Sequence, residues 1–220
     1  MCGRYANVID TWDDWAEAFQ PWPADAVATG YNIAPSMSAP ALTSAGVQSM
    51  QWGLTPAWSA QASARYATFN ARLETVAAKP TFKPAWRQGQ TCLVPALGYY
   101  EWRSTRTGKQ PYFIRAKHGQ PLVFAGLYEP ARHDNPATFT IMTRAADPAM
   151  SRLHPRMPVL AAVRDAAGWL SGDTDCAIRM QRPALRVYAV GAQVNPVRND
   201  DASLVTPLAG PTHSADRFSA

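Results

Sequence analysis

Four short stretches of this sequence hold side chains that could take part in a reaction. Cys2 stands directly behind Met1 in "MCGRY". Once Met1 is removed, Cys2 carries a thiol and a free α-amine on adjacent carbons, a pair that no internal cysteine offers. Gly3 lets the backbone turn sharply beside it, and Arg4 is expected to lower the thiol pKa and to attract anions. In "GYYEW", Glu101 sits among aromatics at the end of an apolar run. A carboxyl in such a pocket has a raised pKa and can act as a general acid. In "SRLHPRMPVL", His154 precedes Arg156 and a short apolar strand, and imidazole is the natural proton carrier near neutral pH. In "FNARLET", Asn70, Arg72 and Glu74 alternate, which puts them on one face of an extended segment.

Each of these has a plainer reading. Cys2 can be a small buried apolar residue. Residues 70–74 can be a polar strand edge, Glu101 a strand-end charge paired with an arginine, and His154 a cap or core histidine. His118, His133 and His213 lie in polar, turn-like stretches and carry less. Trp52 and Trp58 bracket "WGLTPAW". An aromatic beside a basic segment can stack on bases, a role that suits Trp58, whereas Trp52 suits a core.

The elements that must position these groups are mostly short strands. The β-prone apolar runs are "VQSMQWGL", "TCLVPALGYYEW", "PYFIRAK", "PLVFAGLYE", "TFTIMTR" and "RVYAV", bounded by Gly, Pro or polar turns. "RTGKQ" reads as a hairpin loop and "GYNIAPSMSAP" as a turn-rich loop. "DTWDDWAEAF" reads as an early helix capped by Thr11, with Pro21 and Pro23 ending it. "DPAMSRL" and "RDAAGWL" read as short late helices. Nineteen prolines disfavour long helices. The fold class expected is α+β: a single domain over 1–210, built as a curled mixed sheet or open β-barrel with a few short peripheral helices, followed by a flexible tail over 211–220.

The 220 residues are enough to bury a substantial core, and 47% hydrophobic with 17% charged residues is a globular composition. No apolar run approaches the roughly 20 residues needed to cross a bilayer, and no basic region with an apolar core opens the chain as a secretory signal does. Cys2, Cys92 and Cys176 are three and widely spaced. That argues against a disulfide framework and for a reducing compartment; without a CxxC pair, no metal site is expected. The expectation is a soluble cytoplasmic monomer without cofactors. Net charge is +5 and unevenly spread. Between Gln51 and Gln120 stand Arg65, Arg72, Lys79, Lys83, Arg87, Arg103, Arg106, Lys109, Arg115 and Lys117, against only Glu74 and Glu101. Such a basic middle segment is the expected footprint of a phosphate-binding face.

Taken in order, "MCGRY", "YNIAPS", "WGLTPAW", "FNARLETV", "CLVPALGYYEW", "QPYFI", "FAGLYE", "TIMT", "HPRMPVL" and "VNPVRND" resemble the SRAP (SOS response-associated peptidase) family, over nearly the whole chain. One departure is Pro155, which stands where the family usually has an aspartate. The resemblance implies a sensor of abasic sites in single-stranded DNA, associated with the nucleoid when bound. The Cys2 amine and thiol would close a thiazolidine on the open abasic sugar. Asn70 would orient the Cys2 amine, Glu101 would assist sugar opening, and His154 would move protons during formation and reversal. Arg4, Arg72 and Arg156 would hold flanking phosphates, with Trp58 among the DNA contacts. The "peptidase" label would refer to Met1 removal, by the protein itself or by a methionine aminopeptidase. Two other classes fit parts of the pattern. An N-terminal-nucleophile amidotransferase would use the exposed cysteine with its own amine as base. A non-catalytic reader of modified bases would use the basic face and tolerate loss of Cys2.

Overall fold

The computed structural model describes residues 2–9, 19, 29–59, 68–132 and 135–209. The expected early helix lies outside these except for Phe19, which is buried, and so does the tail over 211–220. Eleven strands are present among the described residues: β1 (Tyr5–Ala6), β2 (Ser38–Thr43), β3 (Gly46–Trp52), β4 (Asn70–Arg72), β5 (Thr91–Ala96), β6 (Gly98–Thr105), β7 (Gly108–Ala116), β8 (Leu122–Glu129), β9 (Thr138–Ala145), β10 (Arg156–Pro158) and β11 (Leu185–Ala189). The α-helices among the described residues are short: α1 (Lys83–Arg87), α2 (Val163–Leu170) and α3 (Cys176–Arg179).

The strands form two sheets. One runs β1-β6-β7-β11; the other runs β10-β9-β3-β2-β5-β8, and β8 pairs back onto β9. The pairings β9–β3–β2–β5–β8–β9 therefore complete a ring, which leaves few strand edges to water. The curled mixed sheet expected from the sequence is borne out. β9 is its hub. Its first half lies beside β3, at Trp52↔Phe139; just beyond, β4 takes over as a parallel neighbour, from Asn70↔Ile141 to Arg72↔Thr143. On the opposite side β8 gives way to β10. The functional candidates on β4 and beside β10 thus flank the same stretch of β9.

Burial on both faces explains why β5 and β8 read as continuous apolar runs and not as alternating ones. Cys92, Val94, Leu122 and Phe124 point into the core inside the ring. Their neighbours Leu93, Val123, Ala125 and Leu127 pack outward against Trp169 of α2. The Trp169 indole is itself tied down, donating from Nε1 to the Cys92 carbonyl at 2.9 Å. The four-stranded sheet lays Tyr5, Tyr99, Ile114 and Val187 on the ring core, and its far face packs Tyr100, Phe113 and Tyr188.

Several expectations need correction. "TCLVPALGYYEW" is not one strand: the chain leaves β5, crosses at Leu97 and enters β6 in the other sheet. Gly98 permits that crossing because a Cβ there would collide with the Ile114 carbonyl and lie 2.5 Å from the Phe113 ring. The loop over residues 30–40 is shorter than expected, since β2 begins at Ser38 inside it. "DPAMSRL" makes only one 3₁₀ turn, Met150–Arg152, whereas "RDAAGWL" does form α2. Asn70, Arg72 and Glu74 do not share an extended face, because the amides of Thr75 and Val76 both bond back to the Arg72 carbonyl and turn the chain. No helix among the described residues is long and apolar enough to cross a membrane.

Candidate functional site

Cys2 is fully buried. Its segment runs antiparallel to β6, with Tyr5 opposite Tyr99 and the Tyr100 amide donating to the Arg4 carbonyl at 2.9 Å. Continuing that register brings Gly3 level with Glu101. The clamp on the other side is Asn70. Its Nδ2 donates to the Cys2 carbonyl at 2.6 Å. A carbonyl oxygen only accepts, so Nδ2 is the atom that must face it. That leaves Asn70 Oδ1 buried with no hydrogen-bond partner among the described residues. An acceptor is therefore held beside the backbone of Cys2.

The Cys2 thiol is not activated in the way the neighbouring arginine suggested. Burial, and then the Glu101 carboxyl, push its pKa up, and the Arg4 backbone amide only partly offsets them. The Arg4 guanidinium turns elsewhere. Nη1 donates to Asn32 Oδ1 at 2.7 Å and to the Val194 carbonyl at 2.9 Å, and the group lies 5.8 Å from the centre of the Trp102 ring. Arg4 therefore anchors the "VNPVRND" loop to the amino-terminal strand.

Glu101, on β6, is 3% exposed. Burial raises its pKa, with His154 pulling the other way, as expected for a carboxyl in an apolar pocket and unlike a strand-end surface charge. His154 sits between the 3₁₀ turn and β10, its amide bonded to the Met150 carbonyl at 3.0 Å. Its Nδ1 is 3.9 Å from Glu101 Oε1, and 3.0 Å from both the amide nitrogen and the carbonyl oxygen of Arg156. Neutral imidazole protonated on Nε2 accepts from that amide. Imidazolium donates from Nδ1 to that carbonyl and faces the carboxylate. Both protonation states have a partner, as a proton carrier requires. Pro155 leaves this arrangement intact: it has no N–H to offer, and its carbonyl accepts from the Ala146 amide at 3.0 Å.

The structure thus brings Cys2, Asn70, Glu101 and His154 to one place, from four separate stretches of chain. The candidate DNA contacts divide. Arg72 is exposed at the end of β4 and makes no side-chain hydrogen bond or ion pair among the described residues. Trp58 is 64% exposed. Arg156 is already engaged: Nη1 and Nη2 form a fork on Glu74 at 2.7 and 2.8 Å, and Nη2 also donates to the Thr143 carbonyl at 2.7 Å. The basic middle segment is not one patch either. Lys109 lies at the start of β7 and Lys117 just past its end, about 26 Å apart at roughly 3.3 Å per residue.

Sequence reasoning missed two contributions. Glu74 was noticed only as part of an alternation, yet its pairing with Arg156 joins the end of β4 to β10 and so ties the Asn70 wall to the His154 wall. Tyr5 and Tyr99 were read only as flanking words. Their hydroxyls are buried without a hydrogen-bond partner among the described residues. Burial, followed by the Cys2 sulfur, raises both phenol pKa values, so the two rings flank the thiol.

This arrangement defines a class, and comparison with known proteins agrees. The family model "SOS response associated peptidase (SRAP)" matches residues 1–197, and the chain belongs to that family. It is 31% identical to "Abasic site processing protein YoqW" of Bacillus subtilis (strain 168), over 93% of this chain and 99% of the relative. It is 29% identical to "Abasic site processing protein YedK" of Escherichia coli (strain K12), over 94% of this chain and all of the relative. Among solved structures, a protein from Bordetella bronchiseptica superposes with a TM-score of 0.74 at 24% identity, covering 86% of this chain and all of that one. A phage-related protein from the same organism superposes with a TM-score of 0.65 at 28% identity, covering 86% of this chain and 94% of that one.

Proposed function

We propose that this protein captures abasic sites in single-stranded DNA as a covalent thiazolidine on Cys2 after Met1 is removed. The relatives' names, abasic site processing proteins, give the substrate class. The observation that carries the reading to this chain is the Asn70 clamp: Nδ2 holds the Cys2 carbonyl at 2.6 Å while Oδ1 stays buried with no described partner. Oδ1 is an acceptor suited to an N–H of the amine that Met1 removal creates.

The steps balance without an oxidant or reductant. Glu101 delivers a proton to the ring oxygen of the abasic sugar as the bond from C1 to that oxygen breaks, and takes back the proton that the C1 hydroxyl gives up as it becomes the aldehyde carbonyl. The Cys2 amine adds to the aldehyde carbon and water leaves, giving an imine. The thiol then adds across C=N: sulfur bonds carbon, and the thiol proton ends on nitrogen. One water is released overall, and the ring has five members. Closure is intramolecular, so a high effective molarity favours it. A buried thiol with a raised pKa reacts here as S–H, handing its proton on through Glu101 and His154. Reversal runs the same path backwards with water attacking the imine. Arg72 and Trp58 contact the flanking strand.

The test mixes purified protein with an abasic single-stranded oligonucleotide and follows a denaturant-resistant shifted band, without added reductant. Wild type forms it. Cys2→Ala does not, and protein shown by mass spectrometry to retain Met1 does not. A heat-stable adduct in Cys2→Ala at the wild-type level overturns the thiazolidine. Binding to undamaged strands weakens with salt, at a log–log slope of roughly −0.7 per phosphate contact, and Arg72→Ala makes it shallower by about one contact.

A further inference from the structure

A cavity of about 410 Å³ opens where β8 ends and β9 begins, within the usual size range of small-ligand sites. Its wall includes Trp58, Glu129 and Arg132. Two features there are unlike an ordinary surface dimple. The Trp58 ring is 64% exposed, although a ring of that size usually finds cover in a folded domain. Glu129, the last residue of β8, is only 3% exposed, and neither of its carboxylate oxygens accepts a hydrogen bond among the described residues. Arg132 brings Nη2 to 3.6 Å from Oε2, beyond hydrogen-bond reach, and its side chain is 46% exposed. The neighbouring polar pair is already satisfied, since the Thr55 amide donates to Thr138 Oγ1 at 3.0 Å. A buried carboxylate with both acceptors unused is costly unless something else fills them.

We propose that this cavity is a nucleobase subsite selective for guanine, on a nucleotide flanking the lesion. The base stacks on Trp58, and its N1–H and exocyclic N2–H donate to the two oxygens of Glu129 as Arg132 swings outward. The choice of base follows from donor geometry. A carboxylate wants two adjacent N–H groups, and guanine alone of the four bases presents them. Adenine and cytosine each set their amino group beside an unprotonated ring nitrogen, which a carboxylate repels. Thymine has one N–H between two carbonyls. The placement suits a neighbouring nucleotide. Glu129 lies opposite Thr138 and Asn70 opposite Ile141, three residues further along β9, so about 10 Å separates the two positions at roughly 3.3 Å per residue.

This subsite rests on the single-stranded DNA reading above but not on its chemistry, so it is tested without a lesion. Fluorescence anisotropy measures binding of labelled oligothymidine strands carrying one dG, one deoxyinosine or one dA. The dG strand binds roughly tenfold or more tighter than the inosine strand, which keeps N1–H and lacks the amino group, as for one hydrogen bond to a charged acceptor. The dA strand binds no better than oligothymidine. Glu129→Gln, which replaces one acceptor with a donor, abolishes the dG preference. Equal affinity for the dG, inosine and dA strands overturns the subsite even without the variant, as does a dG preference that survives Glu129→Gln. Failure of the abasic crosslink alone, with the dG preference present, counts against the capture chemistry and leaves this subsite standing.

Discussion

Asn70 and Cys2 are 68 residues apart in the chain, yet the Asn70 amide nitrogen lies 2.6 Å from the Cys2 carbonyl oxygen, and both residues are buried. β4 makes this contact possible by lying parallel to β9 where β3 departs. Asn70→Ala leaves a buried carbonyl without its donor. It is expected to cost about 1–3 kcal/mol of stability and to slow single-turnover crosslinking on the order of 10²-fold through a misplaced amine. Asn70→Asp sets an acceptor against an acceptor and does no better. Crosslinking at the wild-type rate in either variant would show that the clamp is structural only.

Glu101 sets stability against activity. Burial raises its carboxyl pKa, so the native state holds a proton that the unfolded chain releases. Native stability therefore falls as pH rises through the ordinary carboxylate value of about 4.3 and on to the raised folded value. Glu101→Gln removes that loss. It is expected to raise the melting temperature at neutral pH while slowing adduct formation by about 10²-fold or more. Thermal unfolding at pH 4 and pH 7 checks the sign; a variant no more stable than wild type at pH 7 contradicts it.

His154 is expected to govern release. His154→Gln keeps a polar side chain but cannot carry a proton at neutral pH. Preformed adduct, chased with excess abasic strand and followed on a denaturing gel, is expected to disappear 10²–10⁴-fold more slowly, with undamaged-strand affinity little changed. Release as fast as wild type would make the imidazole a structural group here.

The Glu74–Arg156 fork has its own acid signature. The hydrogen bond from Arg156 holds the Glu74 carboxyl down at about 2. A lowered folded value contributes stability that is fully present above the unfolded value of about 4.3 and is lost as pH falls toward 2. Glu74 is half exposed, so after solvent screening the effect is on the order of 1 kcal/mol at most. Glu74→Gln is expected to flatten the melting-temperature profile between pH 5 and pH 2. An unchanged acid limb would show that the fork adds nothing to stability.

How much of this was legible in the sequence depended on the range of the signal. Alternation and turn residues located β3, β7, β8, β9 and β11, and "RTGKQ" read correctly as the turn between β6 and β7, because these patterns are local. β2 escaped notice because Pro40 sits in it and proline reads as a breaker, whereas the short apolar strand expected after His154 is β10. The break inside "TCLVPALGYYEW" was hidden because both halves are apolar; only the close approach of Gly98 to β7 shows where the chain changes sheets. At the candidate site, Cys2, Asn70, Glu101 and His154 are the group expected from the sequence, and the structure brings the four together; Trp58 is exposed, as its setting suggested. The state of the Cys2 thiol and the employment of Arg4 and Arg156 were not legible there.

The sequence by itself determined which chemistry is present: an amine and a thiol on adjacent carbons once Met1 is gone, the Glu101 carboxyl among aromatics, the His154 imidazole beside an apolar strand, and a basic middle. Side-chain identity and strand alternation are properties of a few consecutive residues, so they survive without the fold. Tertiary structure alone decided where each charge goes. Pairing β1 with β6 buries Cys2 beside Glu101, the Tyr5–Ile33 bridge brings the Arg4 guanidinium to Asn32, and laying β4 and β10 beside β9 commits Arg156 to Glu74. Those outcomes depend on pairings between distant segments, and a charge's solvation and partners exist only once the pairings are made.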